Sequence, residues 1–341
     1  MARSELTINL GAVRRNTSAI LQGLDGAELY AVVKANGYGH GATDVAGAAL
    51  GAGASALCVV TLGEGLALRR EFPTARIIVL GPLANREVGA AREARLELVV
   101  AHGELPASIP VHLKLDTGMG RFGLAELPLP PVEVVGLMSH LATADSDVDF
   151  VQRQLERFLE ATKLYPQLPR HLANSAAALR IPATHLEAVR CGIALYGLSP
   201  FGQDPALDGL EPALRWESHL AQVKLLQPGE STGYGRRFVA EEPTWIGLVP
   251  IGYADGFRRD LTGTTVLVDG ERHPAIGTVS MDSFAVALER ELPAGTPVTI
   301  VGDGLLLEEH AHHAGTITYE LACGLGAAAN ANRARRVVVD S

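Results

Sequence analysis

The chain has 341 residues, enough for two domains or for one barrel with an addition. Its 29 Lys and Arg against 38 Asp and Glu give a formal net charge of −9. With no basic run to neutralise phosphates, that balance argues against a nucleic-acid surface. Cys58, Cys191 and Cys323 are far apart and odd in number, which suits neither a disulfide framework nor a zinc site and points to a reducing cytoplasm. The start, MARSELTINLGAVRRN, lacks an apolar core of signal-peptide length, and no later segment runs long enough without charge to span a bilayer. A cytoplasmic protein without a membrane partner is the expectation.

Residues 5–10 alternate apolar and polar side chains as a strand does, and residues 13–24 have helical spacing. Residues 30–33, YAVV, then read as a buried strand ending at Lys34. Gly37, Gly39 and Gly41 let the backbone turn tightly before an alanine-rich helix from Ala42. A lysine where an apolar strand meets a Gly-rich loop is partly stripped of water. Desolvation lowers its pKa, and a neutral amine can form a Schiff base. A surface lysine capping a strand is the plainer alternative.

Short apolar runs recur at 30–34, 56–60, 77–80, 98–100, 111–116, 134–139, 170–174 and 188–192, with helix candidates at 66–71, 85–95 and 148–164. Strands alternating with helices imply a parallel sheet, and eight units suggest a closed (β/α)8 TIM barrel, an α/β fold; an open doubly wound sheet is the rival. Such barrels place their chemistry where strands end. Lys34, Lys114 with Asp116, His140, Asn174 with Ser175, and Arg190 all stand at these ends.

After Ser199 the character changes. Residues 200–212 are rich in Gly, Pro and Asp and read as a linker. Strand-like runs follow at 220–226, 244–250, 265–268, 284–287 and 297–301, separated by turns such as Asp269-Gly270 and Gly302-Asp303-Gly304. The expected organisation is a barrel over 9–212 and a mainly β domain over 213–341, joined by 1–8. His310, His312 and His313 read as neighbours on a mobile loop without acidic or cysteine partners, so no metal is assigned.

The segments AVVKANGYGHG, LKLDTGMGRFG, HLANSAA, VRCGIALYGLSP, VPIGYADG and TVSMDS, in that order, resemble the alanine racemase family over nearly the whole chain. The resemblance implies a homodimeric enzyme dependent on pyridoxal phosphate that interconverts L- and D-alanine, supplying D-alanine for peptidoglycan. Lys34 then matches the Schiff-base lysine, which serves the D-enantiomer, and Tyr253 the base for the L-enantiomer, reaching the partner's site. Arg190 matches the arginine at the pyridine nitrogen, and His140 the histidine packed near the ring. Tyr38, Ser175 and the amides of Gly192 and Ile193 match the phosphate contacts, with Asn174 beside them. Arg121 and Met281 match residues meeting the substrate carboxylate, and Lys114 a lysine carbamylated in many members.

The chain departs from the family pattern near its end, where ITYELACGLGAAANANRARR has no tyrosine after Tyr319 to close on the phosphate. Rival readings are a serine racemase, a pyridoxal-phosphate decarboxylase, a non-enzymatic carrier of the cofactor, or a lysine aldolase on a barrel. A decarboxylase needs no base on the opposite face, so Tyr253 speaks against it.

Overall fold

The computed structural model describes residues 3–128, 133–327 and 333–339. It divides into two units, one of Val13–Phe201 with Pro205–Glu211, the other of Met1–Ala12, Gly202–Asp204 and Pro212–Ser341. Strand β1 (Ser4–Asn9) opens the chain and belongs to the second unit.

The first unit is a closed barrel of eight parallel strands. They are β2 (Glu28–Val32), β3 (Ala56–Val59), β4 (Ile77–Val79), β5 (Glu97–Val100), β6 (Val111–Lys114), β7 (Val134–Met138), β8 (Arg170–His171) and β9 (Ala188–Cys191). Pairing of β2 with β9, Tyr30 opposite Arg190, closes the ring. These strands are buried on both faces, which is why they read as continuous apolar runs and not as alternations.

Six of the barrel strands, β3, β4 and β6 to β9, are shorter than the runs expected from sequence, while β2 lies two residues earlier and β5 begins one residue sooner. The run at 170–174 shrinks to Arg170–His171 because Asn174 is the N-cap of the helix Ser175–Arg180, its side chain accepting from Ala177 N at 3.1 Å. The helix expected at 66–71 starts earlier, at Leu62, where Thr61 and Glu64 form a reciprocal capping box. The segment 85–95 splits into a 3₁₀ turn, Asn85–Glu87, and a short helix, Val88–Glu93. In the helix Val148–Thr162, Val151, Leu155, Phe158 and Thr162 form the buried stripe and Asp147 caps the start.

The second unit is built on a nine-stranded sheet. Its later strands are β10 (Leu214–His219), β11 (Gln222–Leu226), β12 (Ser231–Thr232), β13 (Phe238–Val239), β14 (Thr244–Val249), β15 (Thr265–Val268), β16 (Glu271–Ile276), β17 (Phe284–Leu288), β18 (Pro297–Val301) and β19 (Arg333–Val338). The order is β11-β14-β17-β16-β15-β18-β10-β1-β19, with β12 and β13 paired separately. Strand β10 alternates buried and half-buried residues, the pattern of a one-sided antiparallel strand.

Sequence reasoning missed β10, β12, β13, β16 and β19, and Pro274 hides β16 because proline is rare inside a sheet. It also missed two helices, Leu307–His313 and Thr318–Ala327. The histidine triplet is therefore not on a loop. His310 is buried, with Nε2 donating to Ile300 O at 2.6 Å and Nδ1 accepting from Thr264 Oγ1 at 2.8 Å. His313 Nε2 donates to Thr262 O at 2.9 Å. The sequence that departs from the family pattern falls on the helix Thr318–Ala327, on 328–332, outside the described residues, and on the start of β19. No helix among the described residues is long and apolar enough to cross a membrane.

Candidate active site

The carboxyl ends of β2, β6, β7, β8 and β9 carry Lys34, Lys114, His140, Asn174 with Ser175, and Arg190. Lys34 starts a tight turn, Lys34–Tyr38, in which Ala35, Asn36, Gly37 and Tyr38 all have positive φ, between 50° and 62°. Three of these four bear side chains, so the turn is left-handed at a cost of roughly 1–2 kcal/mol for each. Bonds from outside hold it. Glu64 Oε1 accepts from Ala35 N at 2.6 Å, and Asn36 Oδ1 accepts from Ala42 N at 3.1 Å. The glycines at 37, 39 and 41 do have positive φ, as a tight turn requires, but Ala35, Asn36 and Tyr38 share the strain, which sequence did not reveal.

Tyr38 is 7% exposed and leans on Tyr196 with ring centroids 5.0 Å apart. The Lys34 ammonium lies 6.0 Å from the Tyr38 ring centre. The Tyr38 hydroxyl comes so near Gly192 that a Cβ there would fall 2.4 Å from it. Gly192 N in turn donates to Ser175 Oγ at 3.0 Å, so the loops after β8 and β9 meet at this point. Tyr38, Ser175 and Gly192 thus form one cradle of hydroxyl and amide groups, with Ile193 starting the 3₁₀ turn that follows.

Arg190 is 4% exposed, with both terminal nitrogens engaged. Its Nη1 donates to His171 O at 2.6 Å and to His171 Nδ1 at 2.9 Å. Its Nη2 donates to Ser139 O at 2.7 Å, Leu172 O at 3.1 Å and His140 Nδ1 at 3.2 Å. Burial lowers its pKa to about 10, so it stays a cation near neutrality. His140 is held well below the usual imidazole range by burial and then by the Arg190 charge, and is neutral. Because Arg190 can only donate, the His140 proton sits on Nε2.

Lys114 is 7% exposed, and burial followed by the charges of Arg121 and Arg190 lowers its pKa to about 8. The loop after it is shaped by Asp116, whose Oδ1 accepts from Gly118 N at 2.9 Å and Gly120 N at 3.2 Å, leaving Arg121 exposed. Sequence reasoning missed Gln154, fully buried, which braces the loops after β6 and β7. It donates to Thr117 Oγ1 at 3.2 Å and His140 O at 3.1 Å and accepts from Ala142 N at 2.8 Å. A glutamine on the buried stripe of Val148–Thr162 was its only signal.

Tyr253 and Met281 belong to the second unit, where they are 42% and 53% exposed. Tyr253 N donates to Ser280 O at 3.1 Å and Ala254 N to Met281 O at 3.0 Å. Gly252 permits this approach, since a Cβ there would lie 2.3 Å from Ser280 O and Met281 O. Two distant sequence segments are thereby presented side by side.

Comparison with known proteins gives the family. Residues 8–200 match the model of the alanine racemase N-terminal domain and residues 213–333 that of the C-terminal domain. The curated alanine racemase of Lactiplantibacillus plantarum is 42% identical over 371 residues, covering 99% of this chain and 98% of that protein. The biosynthetic alanine racemase of Pseudomonas aeruginosa superimposes with a TM-score of 0.90 at 37% identity, over 99% of this chain and 100% of that one. The Bartonella henselae alanine racemase, solved with covalently bound pyridoxal phosphate, gives a TM-score of 0.87 at 25% identity over 98% and 99%. With matches in both units and along nearly all its length, the chain belongs to the alanine racemase family.

Proposed function

We propose that this chain is a pyridoxal-phosphate-dependent racemase that interconverts L- and D-alanine, working as a cytoplasmic homodimer and supplying D-alanine for peptidoglycan. The observation that carries the reading is the joint placement of Lys34 beside a Tyr38–Ser175–Gly192 cradle in the same barrel that buries the Arg190 cation.

The residues present fit the cofactor. Gly192, for want of a Cβ, lets the Tyr38 hydroxyl close on the loop after β9, so the hydroxyls of Tyr38 and Ser175 converge there as donors suited to a phosphate. Tyr38, Ser175, Gly192 and Ile193 would hold that phosphate, where barrels commonly bind one, while Asn174 fixes the helix that starts with Ser175. Lys34 would hold the group through its Nζ. When bound, pyridoxal phosphate supplies an electron sink for the α-carbon.

Racemisation moves a proton off one face of the α-carbon and onto the other, so two bases must flank it. Lys34 Nζ would take and return the D-enantiomer's proton on one face. Tyr253 of the partner subunit serves the L-enantiomer's proton. Arg190 donates hydrogen bonds but surrenders no proton, which restrains charge build-up and disfavours side reactions. His140, whose Nδ1 accepts from Arg190, would pack near the cofactor ring. Arg121 and the backbone of Met281 from the partner subunit position the substrate carboxylate. Lys114, with its lowered pKa, has the neutral amine that carbamylation by carbon dioxide requires, and the resulting anion would orient Arg121.

The test pairs a spectrum with turnover. Borohydride should trap the cofactor on the peptide bearing Lys34, and the protein should form D-alanine from L-alanine faster than it racemises L-serine or L-lysine. Cofactor trapped at Lys34 without racemisation of any amino acid would move the reading to a decarboxylase or carrier. No trapping after added pyridoxal phosphate would remove Lys34 from its role.

A further inference from the structure

Four barrel strands contribute a row of polar side chains that the proposed reaction leaves without a task, except at its end. Glu97 is on β5, His112 on β6, His171 on β8 and Arg190 on β9. Arg190 Nη1 lies 2.9 Å from His171 Nδ1, His171 Nε2 lies 2.9 Å from His112 Nδ1, and His112 Nε2 lies 2.8 Å from Glu97 Oε2. Both histidines are 0% exposed.

The protonation of this row follows from its two ends. A guanidinium only donates, so His171 Nδ1 accepts and the ring proton of His171 is on Nε2. That N–H points at His112 Nδ1, which must accept, so the His112 proton is on Nε2. It is donated to Glu97, whose carboxylate only accepts. The row therefore runs in one direction, from cation through two neutral rings to anion. Burial holds His171 well below the usual imidazole range and lowers His112 also, in keeping with neutral rings. Burial favours protonation of Glu97, but hydrogen bonds from His112 and Arg76 outweigh it and hold the carboxyl below its ordinary value. Arg76 Nε reaches the two carboxylate oxygens at 2.8 and 3.0 Å, and its Nη1 donates to the Tyr30 hydroxyl at 2.9 Å. Tyr30 meets His171 edge-on at 5.4 Å, Glu28 lies 3.7 Å from Arg76, and Cys58 on β3 is within electrostatic reach of Arg190 and Glu97.

We propose that Glu97 is a positioning residue for Arg190: acting through His112 and His171, it secures from the far end the two tautomers that the guanidinium demands, so that His171 Nδ1 stays an acceptor and the guanidinium is held in one orientation. Were the acceptor at Glu97 lost, His112 could move its proton to Nδ1. A hydrogen would then face the His171 N–H, and relieving that conflict places a proton on His171 Nδ1, against a cation that can only donate. The disturbance thus reaches Arg190 without any direct contact between Glu97 and the site. Its consequence for racemisation rests on the proposed function; the tautomers do not.

The test uses the full-length protein labelled with ¹⁵N in histidine alone, with and without pyridoxal phosphate, and the variants Glu97→Gln and Glu97→Leu. Resonances are assigned with His112→Gln and His171→Gln. In the unmodified protein His112 and His171 should both be neutral Nε2–H tautomers. A glutamine can turn its carbonyl to His112 while Arg76, half-exposed, adjusts, so Glu97→Gln should keep both tautomers and most of kcat. A leucine of similar size has no acceptor, so Glu97→Leu should shift the His112 and His171 signals and lower kcat roughly tenfold, with little change in KM for alanine. An Nδ1–H tautomer at either histidine in the unmodified protein would overturn the proposal. So would unmoved histidine signals in Glu97→Leu, or equal loss of kcat in both variants, the mark of a packing role. Correct tautomers in a protein that binds no cofactor would instead count against the proposed function alone.

Discussion

Gly136 stands opposite His112 across the β6–β7 ladder, and a Cβ on Gly136 would fall 2.4 Å from His112 Nδ1. The glycine is needed for the close approach of an imidazole, since no turn occurs there. Gly136→Ala should lower the unfolding free energy by about 1–3 kcal/mol, the usual cost of overpacking a core. It should appear as a lower urea midpoint at unchanged slope. An unmoved midpoint would mean that the ring has room to yield.

Gly192→Ala tests the cradle in the same way. The added methyl would meet the Tyr38 hydroxyl at 2.4 Å and push it out of the cradle. Affinity for pyridoxal phosphate, followed by titrating the apoprotein, should fall about tenfold, which is about 1.4 kcal/mol. Unchanged affinity with an unchanged fold would place the phosphate elsewhere.

Lys114 carries a pH signature. Its pKa falls from 10.5 in the free side chain to about 8 in the fold. Between those values the unfolded chain binds more protons than the folded one, so this lysine's contribution makes stability rise with pH across that window and leaves it lowest below about 8. Lys114→Met should remove that rise in urea titrations run below and within the window, and should stabilise the fold at the lower pH. The same lowered pKa leaves enough neutral amine for carbamylation. In ¹³C-bicarbonate a carbamate resonance should appear and be absent from the Lys114→Met protein. A resonance that persists in the variant would assign the modification to another group.

A site shared between two subunits, as proposed, predicts complementation. Lys34→Ala and Tyr253→Phe chains, each nearly inactive, should regain activity when mixed under conditions that exchange subunits, because each heterodimer keeps one intact pair of bases. Exchange without recovery would count against a base supplied by the partner subunit.

Much of the barrel was legible because its strands are buried on both faces and so appear as unbroken apolar runs. The β unit was harder to read. Pro274 masks β16, and β19 pairs in parallel with β1, at the opposite end of the chain, which no local pattern announces. Within the site, residues at strand ends were legible because a barrel has one chemical end. His112, His171 and Glu97 were not, because each is an inward-facing member of a short strand and looks like an interruption of its apolar run. Only their mutual distances give them a common purpose. Gly136 shows the same limit, since a glycine inside a strand says that something approaches but not what.

The turn from Ala35 to Tyr38 cannot be grafted. Its left-handed path is disfavoured by its own residues and is imposed by Glu64, Ala42 and Tyr196, which arrive from other segments. A peptide of the same sequence would relax to an ordinary right-handed or extended form, and Ala35→Gly would ease the strain while loosening the backbone beside Lys34. The orientation of that lysine is therefore a property of the assembled barrel, inherited by descent with the whole scaffold and not portable as a motif.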